Sequence, residues 1–205
     1  MRRFIRSAVL PAFLLFPVML MGADLQKGLA AFDEGDYETT LAECQPLADE
    51  GDAGAQFCVG RLYANGFGVA MDDALALKWY GLAAAAGHAE AQYNLGVMHA
   101  NGWGVEMNDV PAAAYYLLAA EQGHVPAQCS LGFSYKHGAG VERSDVEAYK
   151  WFDIAAQMDE MSGGASERDD LADKMSQEEV LGAQQAALQW LESFEGSTMH
   201  AERAD

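Results

Sequence analysis

Residues 53–88 read AGAQFCVGRLYANGFGVAMDDALALKWYGLAAAAGH, residues 89–124 read AEAQYNLGVMHANGWGVEMNDVPAAAYYLLAAEQGH, and residues 125–160 read VPAQCSLGFSYKHGAGVERSDVEAYKWFDIAAQMDE. Laid over one another without a gap, they hold Gln56, Gln92 and Gln128 in one column and Gly60, Gly96 and Gly132 in another. The same 36-residue step relates Gly66, Gly102 and Gly138, then Gly68, Gly104 and Gly140, then Asp73, Asp109 and Asp145. It also relates the aromatic pairs Trp79-Tyr80, Tyr115-Tyr116 and Trp151-Phe152 and the alanine pairs that follow them. A fixed period of this length marks a repeat architecture, in which each unit buries its apolar face on its neighbours.

Within one copy the residues predict two helices. Ala55, Cys58, Val59 and Leu62 recur at helical spacing and stop at Asn65-Gly66, where a glycine can close the last turn in the left-handed conformation. Gly68 and Val69 form a short connector, and Asp72 or Asp73 can cap the next helix. Pro111 follows Asp109 at the start of the second helix of its copy, where a missing N–H does no harm. Connections this short force antiparallel neighbours. The expected fold is therefore all-α: an α/α solenoid, a right-handed superhelix of about three and a half repeats with C-terminal capping helices.

The pattern AQ…LG…Y…G-x-GV…D…A…WY…AA…GH resembles the Sel-one-like repeat (SLR) family, a relative of the tetratricopeptide repeat, over about Asp24 to Phe194. His99 departs from the usual tyrosine, and Gly87-His88 becomes Asp159-Glu160 in the last copy. The resemblance implies a protein-binding solenoid whose first helices line its concave side. It also implies roles known for bacterial relatives: periplasmic adaptor, assembly factor or regulator of envelope signalling.

The rest of the chain divides around the array. Residues 1–23, with Arg2, Arg3 and Arg6 ahead of an apolar run and Ala23 at its end, read as a secretory signal peptide. That run is shorter than the roughly 20 residues that span a bilayer. Periplasmic or secreted localisation follows, with no stable membrane insertion after cleavage. Residues 24–52 form an N-terminal partial repeat and 161–195 the capping helices, the last opened by a Ser176/Glu179 capping box after a polar loop at 159–166. Residues 196–205 are expected to be a disordered tail.

The formal charge is −19, from 12 basic and 31 acidic residues, and loss of the leader's arginines makes it more negative. Such a surface repels nucleic acid and favours a basic protein partner. Chemistry is hard to find. The "NGFGV", "NGWGV" and "HGAGV" turns lack the Lys-Ser/Thr of a phosphate loop and follow helices. His88 and His124 sit in equivalent turns, while His99 and His137 have no partner at ligand spacing. No catalytic residue, cofactor or metal is assigned, and the ten methionines are read chiefly as core or leader residues. The competing readings are an envelope enzyme or ligand binder, such as a relative that binds or hydrolyses β-lactams, and a secreted host-directed effector. This chain lacks the dense cysteines of the β-lactam-linked relatives.

Two residue sets are singled out. Cys44 and Cys58 lie equally far from the turn at Gly51, at one height on facing helices, and are expected to form a disulfide in an oxidising compartment. Cys129 is left over as a core thiol. Positions of the first helix that differ between copies are the expected binding surface, led by Arg61, Tyr93, Phe133 and Lys136, which combine aromatic anchors with cations.

Overall fold

A computed structural model describes residues 22–201. The signal-peptide reading falls almost wholly outside them. The described residues form ten helices: α1 (Leu25–Glu34), α2 (Tyr37–Glu50), α3 (Ala53–Asn65), α4 (Asp73–Ala85), α5 (Ala89–Asn101), α6 (Asp109–Glu121), α7 (Val125–His137), α8 (Asp145–Met158), α9 (Gly164–Ala172) and α10 (Gln177–Ala201). Each helix packs on the one before and the one after through α8, so the chain is an all-α solenoid of antiparallel pairs. The pairs α3–α4, α5–α6 and α7–α8 coincide with the three 36-residue copies.

Capping chemistry sets the boundaries. Asp24, Asp36, Asp52, Asp72, Asn108 and Ser144 each accept a backbone N–H in the first turn of the following helix. The first helix of each copy ends at a left-handed glycine: Gly66, Gly102 or Gly138. Ser176 and Glu179 complete their capping box, with Ser176 N–H donating to Glu179 Oε2 at 2.8 Å and Glu179 N–H to Ser176 Oγ at 3.3 Å.

Inside a repeat, glycine on the first helix seats a ring from the second. A methyl group on Gly60, Gly96 or Gly132 would come within 2.6, 2.5 or 2.7 Å of the rings of Tyr80, Tyr116 and Phe152. Between repeats the second glycine of G-x-G does the work. A Cβ on Gly104 would lie 2.6 Å from the carbonyl oxygen of Asp73, and one on Gly140 only 1.9 Å from that of Asp109. The loop of each repeat thus rests on the helix start of the previous one. The buried glutamine column ties the pairs in the other direction. Gln56, Gln92 and Gln128 donate from Nε2 to the carbonyls of Ala48, Ala84 and Ala120, at 3.2, 3.2 and 3.3 Å.

The C-terminal helices close the array. Ala183 and Ala187 of α10 are fully buried, Trp190 packs edge-on against Trp151 at 5.8 Å, and α9 is pinned by Arg168 Nη1 to buried Asp153 Oδ1 at 3.0 Å. Two expectations change here. Residues 196–201 continue α10 instead of leaving it as a loose tail, although Gly196 costs that helix about 1 kcal/mol. The polar loop ends at Gly163, the N-cap of α9.

Candidate functional site

All four of the first-helix residues singled out have intramolecular partners. The Arg61 guanidinium lies 3.8 Å over the Phe32 ring and 5.6 Å from that of Phe57, against the N-terminal partial repeat. Lys136 Nζ pairs with Glu167 of α9 at 2.5 Å, both side chains half-buried. Tyr93 packs between Tyr116 and His124, with centroids 5.9 and 4.8 Å away. Phe133 is 41 % exposed while keeping an edge contact with Phe152 at 5.0 Å. The four residues therefore do not form one patch. Tyr93 and Phe133 do line one recess, of about 300 Å³, between α5, α7 and the loop at Asp159 and Ser162.

Cys129 also lines this recess and is not a core thiol. It is half-buried, its Sγ lies 3.7 Å from the Ser162 carbonyl, and burial pushes its pKa up. Met71, Met107 and Met161 likewise depart from the core assignment. They are 68, 68 and 93 % exposed, the first two at equivalent connector positions.

Two further recesses recur one repeat apart, at positions the sequence reading assigned to turn and packing chemistry. One, about 120 Å³, lies between α3 and α5 and is lined by Ala64, Asp73, Tyr80, Asn94, Val97 and Trp103. The other, about 240 Å³, lies between α5 and α7 and has Ala100, Asp109, Tyr116, Ser130, Phe133 and Ala139 at the same register. Asp73 and Asp109 are spared for these recesses because the preceding residues, Asp72 and Asn108, do the capping. Neither carboxylate has a hydrogen bond or ion pair among the described residues. Tyr80 and Tyr116 are 3 and 8 % exposed, and burial raises each phenol to about 12, so both hydroxyls stay protonated at neutral pH. The 36-residue register contained these positions, but their shared recess depends on helices from adjacent repeats.

The histidines of the turns are helix caps. Nδ1 of His88 accepts from Ala91 N–H at 3.3 Å, and Nδ1 of His124 from Ala127 N–H at 3.2 Å. Each ring is neutral in that role, and desolvation holds its pKa below the ordinary imidazole value. Cys44 and Cys58 are fully buried, with their sulfurs 2.6 Å apart across the α2–α3 interface. Among the described residues no group of three or more His, Cys, Asp or Glu side chains is placed to hold a metal ion, and no helix is long and apolar enough to cross a membrane.

A solenoid of helix pairs with recesses between successive first helices defines a helical-repeat protein. The Sel1 repeat model matches residues 53–88, 89–124 and 125–160, and the chain belongs to the Sel1 repeat family, whose members typically mediate protein–protein interaction. Among solved structures it is similar to a Sel1 repeat protein from Oxalobacter formigenes, at 28 % identity and TM-score 0.68, covering 83 % of this chain and 70 % of that one. It is also similar to c5321, a protective antigen present in uropathogenic Escherichia coli strains that displays an SLR fold, at 26 % identity and TM-score 0.59. That match covers 87 % of this chain but only 49 % of c5321, so the chain spans about half the length of that relative. No curated protein matches the chain.

Proposed function

We propose that this protein is an exported, periplasmic adaptor or regulator that binds another protein through its first helices and performs no catalysis. The observation that carries the reading is the recess that Tyr93 and half-exposed Phe133 both line between two repeats. A ring at a recess edge presents a large apolar area that costs little conformational entropy to immobilise, which suits an interface anchor. Export rests on the basic start and short apolar run of residues 1–23.

Crosslinked capture from a bacterial envelope extract tests the binding reading. Phe133→Ala and Tyr93→Ala should each lower capture of the partner at least tenfold while circular dichroism shows the chain still folded at the assay temperature. Undiminished capture by both variants overturns the assignment of this face. Mass spectrometry of the envelope fraction should find a mature start at or near Asp24, and an intact Met1 would sink export. Turnover of nitrocefin by the purified chain would overturn the non-catalytic reading.

A further inference from the structure

The two equivalent recesses differ from their counterparts at the ends of the array in one respect: they are unfilled. At the N-terminal end the register position of Asp73 is Tyr37, and Phe67 stacks on that ring at 4.7 Å while Arg61 lies over Phe32. In the third copy the equivalent carboxylate, Asp145, is paired by Arg143 Nη2 at 3.3 Å. Arg143 stands where the first two copies have Met71 and Met107. Among the described residues the chain thus supplies its own guanidinium to Asp145 and no cation to Asp73 or Asp109.

What surrounds those two carboxylates suits a cation with an apolar stem. Each recess is lined by a tyrosine that is nine-tenths or more buried and whose hydroxyl has no hydrogen-bond partner among the described residues. Trp103, half-exposed, edges the first recess, and Phe133 edges the second. Carboxylate, hydroxyl and ring face together complement a lysine or arginine side chain, whose methylenes pack on the rings while its head reaches the acid. His137 also borders the second recess. The remainder of the chain, with 31 acidic residues against 12 basic, adds a long-range attraction of the same sign.

We propose that the recesses at Asp73 and Asp109 receive successive lysine or arginine side chains of an extended basic segment of the partner protein. This rests on the adaptor reading and names the partner's chemistry. The two recesses lie one repeat apart, and a polyproline II segment, with three residues per turn and a rise of about 3.1 Å per residue, presents every third side chain on one face.

Fluorescence anisotropy at pH near 7.5 with the purified chain tests it. The probe is a fluorescein-labelled lysine–alanine–proline repeat peptide, with a glutamate–alanine–proline peptide as its counterpart. The lysine peptide should bind, with affinity falling as salt rises, and the glutamate peptide should not. Asp73→Asn and Asp109→Asn should each weaken binding about tenfold, the loss of one charge-assisted contact. Asp145→Asn should leave it unchanged, because Arg143 already occupies that acid. Amide chemical shifts of the unsubstituted chain, which need no folded variant, should move around Asp73, Trp103 and Asp109. Equal binding of the two peptides, insensitivity to both asparagine variants, or shifts confined to other surfaces would overturn the proposal. If the lysine peptide fails while Phe133→Ala still abolishes partner capture, the recess assignment falls and the adaptor reading stands.

Discussion

Gln122 donates from Nε2 to Oε1 of Gln92 at 2.6 Å, completing the hydrogen bonding of a glutamine that is only 5 % exposed. The equivalent acceptors in the other two copies, Gln56 Oε1 and Gln128 Oε1, are buried and have no partner among the described residues. The reason is visible one repeat away, where the register position of Gln122 holds Ala86 or Met158. Ala86 shares the backbone conformation of Gln122, with φ −83° and ψ 4° against −90° and 8°, so a glutamine fits there without strain. Ala86→Gln is expected to stabilise the chain by about 1 kcal/mol, and Gln122→Ala to destabilise it by about 1–3 kcal/mol by orphaning Gln92. Denaturant titration of both variants checks the pair, and a lower midpoint for Ala86→Gln would refute the account.

Two glycines separate a tertiary constraint from a merely local one. Gly140 has φ +73° and abuts the Asp109 backbone, so Gly140→Ala meets both a disfavoured conformation and a backbone clash. A loss of about 3 kcal/mol or more is expected. Gly81 lies inside α4 with nothing within 4 Å of an added Cβ, so Gly81→Ala should raise stability by about 0.5–1 kcal/mol. Thermal melts of the two variants should move in opposite directions.

The histidine caps give the array a pH dependence. Both rings accept through Nδ1, and burial keeps their folded pKa values below the reference of 6.5. The unfolded chain therefore takes up protons first as the solution is acidified. Their contribution is fully present above about pH 6.5 and is lost as pH falls below it toward the folded values. Replacing both by aspartate, the cap used at the equivalent Asp52, should remove this part of the decline between neutral and mildly acid pH. Urea midpoints across that range measure it, and an unchanged slope in the double variant would sink the claim.

Oxidation of Cys44 and Cys58 is proposed for the exported chain. The bond would staple the N-terminal partial repeat to the first full copy, closing a short loop that the chain-entropy account values at about 3 kcal/mol. Non-reducing peptide mapping of envelope-derived protein should recover the two peptides linked, and a reductant should lower the melting temperature. Alkylation of both cysteines without prior reduction would remove the proposal.

Much of the fold is legible in the sequence alone, because its decisive interactions are local and repeated. Gly66, Gly102 and Gly138 end helices by backbone conformation alone, Asp72 and Ser144 cap the helices that follow them, and three gapless copies of the pattern leave only stacking as a way to bury the apolar faces. What the sequence did not determine is where charges go between repeats. Arg61 and Lys136 look like free cations in one dimension, yet Phe32 and Glu167, 29 and 31 residues away, occupy them. Asp73 and Asp109 look like spent turn residues, yet they line the two recesses and no cation among the described residues pairs with them. The physical reason is that a periodic sequence specifies each unit and its stacking, while the use made of a side chain depends on whichever residue the adjacent unit, or the terminal helix, happens to bring against it.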